Sequence, residues 1–189
     1  MIIRPFEEKD KENVRFVCLN SEGPCKMSPD QQHYILTTYC NYYIEQEGRN
    51  CFVAADDDDN AIAYIICTEN YDAYRKVFLE EYVPRLDEDL VVWNFNAKKG
   101  AIGSTALQEK YKEEYPAHLH IDVLPEYHRK GIGHMLVNTL KEHLHNKGIC
   151  GVMLTVGSKN MVGRGFYDKY GFDFLEQVGD DVAYGLKTC

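Results

Sequence analysis

The strand–turn–helix pattern in residues 116–148, PAHLHIDVLPEYHRKGIGHMLVNTLKEHLHNKG, constrains the fold more than any other part of the sequence. It begins as a predicted strand, because Leu119, Ile121 and Val123 alternate with polar residues. It ends as a predicted helix, in which apolar residues recur at three- and four-residue spacing. Between them, the glycines of HRKGIG let backbone amides approach an anion, and the following helix points the positive end of its dipole at the same place. The turn therefore predicts a cradle for a diphosphate group.

The length and composition predict one domain, residues 1–189, because 189 residues with 44% hydrophobic side chains can bury a sizeable core. The net charge of −9 disfavours a protein that binds nucleic-acid phosphates, and it favours cationic or neutral small substrates. No apolar stretch approaches the length of a membrane span, and the first residues lack the pattern of a signal peptide. We therefore expect no nucleic-acid partner, no membrane partner and a cytoplasmic location.

Neither the cysteines nor the acidic residues predict a metal site. The seven cysteines are odd in number, scattered and never spaced as CxxC, which predicts neither a disulfide framework nor a zinc site. Most of them are expected to be small buried side chains. The aspartates at 56–59 join two apolar, β-branched runs and predict the solvated turn of a hairpin. A metal site there is disfavoured because consecutive side chains diverge and none has a spaced partner.

The rest of the chain predicts a mixed α/β fold without repeats. A strand, two helices and a hairpin precede the stretch 116–148, and a strand, a short helix and a closing hairpin follow it. The second helix is predicted from Ser28, an N-cap hydroxyl followed by proline, to about Glu47, where Gly48 stops it. The charged interval 69–115 is too long for a structureless loop, so we predict a helical insertion that covers or shapes the substrate side.

Two motifs resemble those of the GNAT acetyltransferase superfamily. HRKGIG, at a strand-to-helix junction, is similar to the acyl-CoA motif Q/RxxGxG/A, and NMVGRGFYDKYGF at 160–172 is similar to the second motif, NxxAxxFYxxxGF. A dinucleotide site is disfavoured because GxGxxG is absent and the turn comes late in the chain. The resemblance implies an α/β (α+β) fold with a central mixed, mostly antiparallel twisted sheet, helices on both faces and a splayed strand pair that holds CoA. AHLHIDVLPEYHRKGIG and GDDVAYGLKT also resemble the acetyltransferase-like domain of eukaryotic O-GlcNAcase and its stand-alone bacterial relatives.

The resemblance implies a site for acetyl-CoA along this strand and turn, with no metal. His128 stands where arginine or glutamine is usual and Arg129 where glycine is common, so we expect a stiffer turn whose cations still face the phosphates. The side-chain amide of Asn160 would contact the pantetheine arm. The main-chain groups implied to bind CoA are those of Arg129, Lys130, Gly131, Ile132 and Gly133 at the diphosphate, and those of Val123 and Leu124 at the pantetheine arm.

The same resemblance implies that Tyr167, in the FY pair, is the acid that protonates the departing CoA thiolate. Two residues are candidates for the base. Asp122, in the apolar run IDVL, either hydrogen-bonds a neighbouring group or holds or deprotonates the substrate amine. His120 lies on the same face by alternation and is of the residue type best suited to a base, with His118 ranked below it. A tyrosine that only packs and a solvated histidine are the competing interpretations.

These residues predict an acetyl-CoA-dependent N-acetyltransferase that transfers the acetyl group directly to an amine, because no cysteine adjoins the motifs closely enough for an acyl-enzyme. The acceptor would be a small-molecule or peptide amine, and the protein a monomer or a homodimer. A second hypothesis is a module that binds CoA or a protein partner with little or no turnover. A third is an enzyme that modifies lysine side chains of proteins, whose acidic surface could attract such a substrate.

Overall fold

A seven-stranded sheet forms the centre of the protein, for which a computed structural model describes residues 1–189. The nine strands of the chain are β1 (Ile2–Pro5), β2 (Phe52–Ala55), β3 (Ala61–Thr68), β4 (Val91–Val92), β5 (Phe95–Asn96), β6 (Ala117–Val123), β7 (Gly151–Gly157), β8 (Asp173–Val178) and β9 (Asp181–Lys187). The central sheet has the order β1-β2-β3-β6-β7-β9-β8, and β4 and β5 form a separate ribbon. Every neighbouring pair is antiparallel except β6 with β7. The predicted mixed, mostly antiparallel sheet is confirmed.

Eight α-helices surround this sheet. They are α1 (Lys11–Asn20), α2 (Pro29–Tyr39), α3 (Asn41–Gln46), α4 (Tyr71–Val77), α5 (Ala97–Gly103), α6 (Ala106–Tyr111), α7 (Ile132–Asn146) and α8 (Met161–Tyr170). The predicted N-cap of α2 is confirmed, because the Ser28 hydroxyl accepts a hydrogen bond from the backbone N–H of Gln31. No helix combines the length and the apolar composition that crossing a bilayer requires.

The helix predicted from Ser28 to about Glu47 is broken at Cys40, whose φ of −131° and ψ of −59° end α2 and begin α3. The break separates the direction of α3 from that of α2, and Tyr42, Tyr43 and Ile44 of α3 are buried in the core. Tertiary packing, which no local pattern records, therefore decides where the helix ends.

The two faces of β6 carry different side chains. His118, His120 and Asp122 alternate along the strand and share one face, on which Tyr43 of α3 contacts both histidine rings. The apolar residues between them point to the opposite face, where α7 packs against β2, β3 and β6. The polar face of β6 is therefore the one covered by the first helices of the chain.

The interval 69–115 contains helices, as predicted, and also a two-stranded ribbon that was not predicted. A π-helical turn, Phe78–Tyr82, continues α4, and α6 ends at Tyr111, earlier than its sequence pattern indicates. Between these helices the ribbon of β4 and β5 makes a two-residue hairpin. Each of its strands has only two residues, which is too short to display the alternation that identifies a strand.

The expectation that the cysteines form no disulfide is wrong for one pair, because Cys150 and Cys189 are joined by a disulfide. Antiparallel pairing of β7 with β9 places Gly151 opposite Lys187, so the residues just before β7 and just after β9 come together. Because Cys150 and Cys189 are 39 residues apart in the sequence, no local pattern indicates that they are close. Three of the other five cysteines, Cys40, Cys51 and Cys67, are buried.

Candidate active site

The sheet opens between β6 and β7. The two strands pair only at Ala117 with Val152 and at His118 with Met153, although both continue for several residues beyond. The predicted splayed strand pair is therefore confirmed. Along the gap the facing edges of both strands have no neighbouring strand, so main-chain donors and acceptors are available to a ligand.

The main chain at the end of β6 leaves one group free for that ligand. The Leu124 N–H donates to the Ile62 carbonyl (3.1 Å), and the Leu124 carbonyl accepts from the Tyr127 N–H (2.9 Å). The Val123 carbonyl lies 2.8 Å from Nε2 of His128, which can donate to it. Because strand residues alternate in direction, the Val123 N–H points away from β3 and into the gap. Of the two residues implied to contact pantetheine, Val123 has the available donor.

The turn between β6 and α7 has the backbone of an anion cradle. Arg129 has φ 61° and Gly131 has φ 79°, so both lie in the left-handed region that favours glycine. Gly131 is the N-cap of α7 and supplies no side-chain acceptor, unlike Ser28 at α2 and Asn160 at α8. The first amides of α7 are thus left for an external acceptor. Arg129 occupies a glycine-like conformation at the position where the superfamily often has glycine.

Asn160 begins α8 beside the end of β7. Its Oδ1 accepts a hydrogen bond of 2.8 Å from the Gly163 N–H and so caps the helix. The Nδ2 donors of this amide make no hydrogen bond within the protein and are available to a ligand. The cap also orients the side chain, because the acceptor end is fixed by the helix.

Tyr167 is buried on α8, and its ring packs against those of Phe172 and Tyr184. Burial raises the pKa of the Tyr167 phenol above its ordinary value, and the charges of Asp122 and Tyr184 raise it further. The phenol is therefore a neutral proton donor at neutral pH.

Asp122 is half-buried and accepts a hydrogen bond from the Tyr64 hydroxyl on β3. A hydrogen bond to a neighbouring group was one of the two alternatives that the sequence left open for this residue. Burial raises the pKa of Asp122 to about 6, while the hydrogen bonds of Tyr64 and Ser21 oppose that rise. A carboxyl group with this pKa exchanges its proton close to neutral pH, which is the property that a general base requires.

His120 and His118 are linked by a residue that the sequence analysis did not single out. The Tyr43 hydroxyl lies 2.5 Å from Nε2 of His118 and 3.1 Å from Nε2 of His120. Nδ1 of His118 is buried without a hydrogen-bond partner. Burial lowers the pKa of His120 to about 4 and the pKa of His118 well below its ordinary value, so both rings are neutral at pH 7. No local signal connects Tyr43 with these histidines, which follow it by 75 and 77 residues.

The candidate acid and the candidate bases approach the gap from opposite faces of the sheet. Tyr184, against which Tyr167 packs, pairs with Leu154 on the face covered by α7. His120 and Asp122 lie on the other face of β6. The gap between β6 and β7 interrupts the sheet between these two faces. A reacting group in the gap could therefore contact the donor Tyr167 on one side and the acceptor Asp122 or His120 on the other.

A comparison with known protein families shows which class of proteins has this fold. The model of the Acetyltransferase (GNAT) family matches residues 16–172. The chain belongs to this family, as the motifs in the sequence predicted. The narrower resemblance to the domain of O-GlcNAcase stays a prediction.

Solved structures share the architecture over nearly the whole chain. The crystal structure of SsHAT matches with a TM-score of 0.88 and 25% identity, and the match covers 100% of this chain and 98% of that one. A PaiA N-acetyltransferase from Thermoplasma acidophilum, solved in complex with coenzyme A, has a TM-score of 0.60, 19% identity and 98% coverage of both chains. A mutant of an agmatine N-acetyltransferase has a TM-score of 0.64, 13% identity and 98% coverage of both chains. The latter two support the fold alone.

Proposed function

We propose that this protein is an acetyl-CoA-dependent N-acetyltransferase that transfers the acetyl group directly to an amine. The observation that carries the proposal is the gap between β6 and β7. At its end lies a turn whose amides are free for a diphosphate, and on its two faces lie a neutral phenol and groups able to accept a proton.

The chemistry that fits this arrangement has two bond changes. The neutral amine nitrogen attacks the thioester carbonyl, the C–N bond forms, and the C–S bond of acetyl-CoA breaks. The proton lost by the nitrogen passes to Asp122 or His120, and the departing CoA thiolate takes a proton from Tyr167. The first amides of α7, the Val123 N–H and the Asn160 Nδ2 would hold the cofactor, whose thioester supplies the activated acetyl group.

The state of five of the seven cysteines argues against an acyl-enzyme on any of those five and so supports direct transfer. Cys150 and Cys189 are bonded to each other and hold no free thiol. Burial raises the pKa of the Cys51 thiol to about 12 and the pKa of Cys67 well above its ordinary value. A hydrogen bond with Cys18, followed by burial, raises the pKa of Cys40. Thiols with raised pKa values are poor nucleophiles, because the thiolate is the reactive form.

Replacing Gly131 with valine is expected to weaken CoA binding by at least about tenfold, since a β-branched residue disfavours the φ of 79° that aims the amides of α7. Isothermal titration with CoA measures the effect. Gly148→Val is the matched control, because Gly148 follows the other end of α7, has φ 70°, and has no atom within 4 Å of an added Cβ. Equal CoA affinity in the two variants would mean that the turn is not part of the cofactor site.

A panel of amines with acetyl-CoA, followed by release of the CoA thiol, tests the proposed activity. Turnover with any amine, together with loss of turnover in Gly131→Val, supports the transferase. Micromolar binding of CoA without turnover for any amine would instead favour the module that binds CoA.

The pH dependence of kcat distinguishes the two candidate bases. If Asp122 accepts the proton, kcat at saturating acceptor rises with pH through about 6 and then levels, because only the carboxylate is active. We expect this profile, since the pKa of His120, about 4, is further from neutral pH. Asp122→Asn should abolish the rise. Tyr64→Phe should move the rise to higher pH, because the Tyr64 hydrogen bond lowers the pKa of Asp122.

A profile that rises near pH 4 instead, and that keeps its shape in Asp122→Asn, would assign the base to His120. The control for the Tyr64 variant is Tyr111→Phe, which removes a hydroxyl near Glu176, away from β6. Its profile should match that of the unaltered protein.

A further inference from the structure

Three aromatic rings meet at the tip of the β4–β5 ribbon. The Tyr34 ring of α2 lies 6.1 Å from that of Trp93 and 5.5 Å from that of Phe95, and the Trp93 and Phe95 rings are 6.3 Å apart. Tyr34 is buried, whereas Trp93 is 46% and Phe95 39% exposed. We call these three residues the aromatic platform.

The platform is held in place at a conformational cost. Trp93 and Asn94 form the two-residue turn with φ values of 43° and 72°, a geometry that favours asparagine and glycine and disfavours a bulky aromatic residue. Phe95 packs so closely on α5 that a Cβ added at Gly100 would lie 2.5 Å from its ring. A strained and exposed tryptophan that does not complete the core points to a ligand-binding role.

A line of rings connects the platform with the candidate active site. The Tyr34 ring is 6.3 Å from that of Tyr39, and the Tyr39 ring is 5.5 Å from that of His120. Asp181, at the start of β9, carries a charge that contributes to raising the pKa of Tyr34 and the pKa of Tyr39, after burial as the main cause. The register of β6 with β7 and of β7 with β9 places Asp181, which pairs with Gly157 at the end of β7, on the same face of the sheet as His120.

The platform and Asp181 have no cation of their own. Five aromatic rings elsewhere have a lysine or arginine over them, namely those of Tyr82, Tyr111, Tyr71, Tyr127 and Tyr115. No such contact involves Trp93, Phe95 or Tyr34, and no salt bridge involves Asp181. Aromatic faces and a carboxylate together attract a positive charge, and tryptophan is the strongest of the aromatic residues in this respect.

We propose that the aromatic platform and Asp181 bind the second positive charge of a small diamine acceptor, whose other amine reaches the gap beside His120. This inference rests on the proposed acetyl transfer and names its substrate class. The rings of the platform lie within 6.3 Å of one another, so one ammonium group can contact more than one of them. The carboxylate of Asp181 supplies the opposing charge, and the methylene chain between the two amines would lie along the rings of Tyr34 and Tyr39.

Trp93 is the only tryptophan in the chain, so its fluorescence reports on the platform without any need for turnover. Straight-chain α,ω-diamines of increasing length would be titrated into the protein with CoA bound, beside monoamines with the same number of carbons. We expect a saturable change with a diamine of suitable length and none with the monoamines. Asp181→Asn should weaken this binding about tenfold. Asp58→Asn, in the exposed β2–β3 turn, should leave it unchanged.

The kinetic test compares kcat/KM for the diamine and the monoamine of equal length. Trp93→Leu should reduce the preference for the diamine about tenfold, whereas Phe174→Leu, which alters an exposed aromatic residue on β8, should preserve it. Equal kcat/KM values for diamines and monoamines in an active enzyme would overturn the inference. So would a fluorescence response to a lysine-containing peptide and to none of the diamines. If none of the amines caused release of the CoA thiol, but a diamine still changed the fluorescence, the proposed transfer would be refuted and the cation site would be supported.

Discussion

Tyr167→Phe is expected to lower kcat for acetyl transfer by about a hundredfold or more, the range typical for loss of a general acid. The substitution removes only the hydroxyl, so the ring packing with Phe172 and Tyr184 is kept. The CoA thiolate would then leave without a proton donor. Because the phenol is not needed to hold the cofactor, the Kd for acetyl-CoA should be unchanged. Thiol release and calorimetric titration measure the two quantities.

Tyr170→Phe provides the matched control for this prediction. Tyr170 is the last residue of α8, three residues after Tyr167, and its hydroxyl donates to Asn138 at the exposed surface (2.6 Å). Its loss should change neither kcat nor CoA affinity. If Tyr167→Phe retained full activity as well, Tyr167 would be a packing residue and another donor, or water, would protonate the thiolate.

Gly151→Ala is expected to reduce the free energy of unfolding by about 3 kcal/mol, the upper part of the usual range for overpacking. An added Cβ would lie 2.3 Å from the Glu114 carbonyl oxygen and 3.1 Å from Cα of Tyr115. These are main-chain atoms and cannot rotate away. The backbone at the start of β7 would have to move, next to the pairing of Ala117 with Val152 that holds β6 and β7 together. Denaturant unfolding followed by circular dichroism measures the loss.

Gly157→Ala tests whether the effect comes from the close contact rather than from the loss of a glycine. Gly157 ends the same strand, and a Cβ added there has no atom within 4 Å. This variant should be as stable as the unaltered protein, or slightly more stable, because alanine restricts the unfolded chain. If the two alanine variants had equal midpoints, the contact with Glu114 would not limit the packing at β7.

The features that could be predicted from the sequence are those that depend on neighbouring residues. The alternation in β6 and the three- and four-residue spacing in α7 identified a strand and a helix before any tertiary contact was known. Ser28 predicted the start of a helix through a hydrogen bond made three residues away. The two motifs also predicted the family, which the match over residues 16–172 confirms.

Features that depend on distant pairings could not be predicted in this way. The break at Cys40 precedes a helix whose residues Tyr42 and Tyr43 pack in the core, and the disulfide depends on the register between β7 and β9. The ribbon that carries Trp93 has strands of two residues each, so it has no periodicity to detect. Each of these features is set by packing between elements that are far apart along the chain.

The candidate site shows the same division most clearly. By itself, the sequence determined that a turn joins a strand to a helix at residues 128–133, and it made Tyr167, Asp122 and His120 the candidate catalytic residues, because motif spacing and alternation are local properties. Only the tertiary structure decided that Tyr167 approaches the gap from one face and Asp122 from the other, and that Tyr43 links His118 to His120. The physical reason is that hydrogen bonding and burial, which set these contacts and the pKa values, act through space between residues that the chain separates by tens of positions.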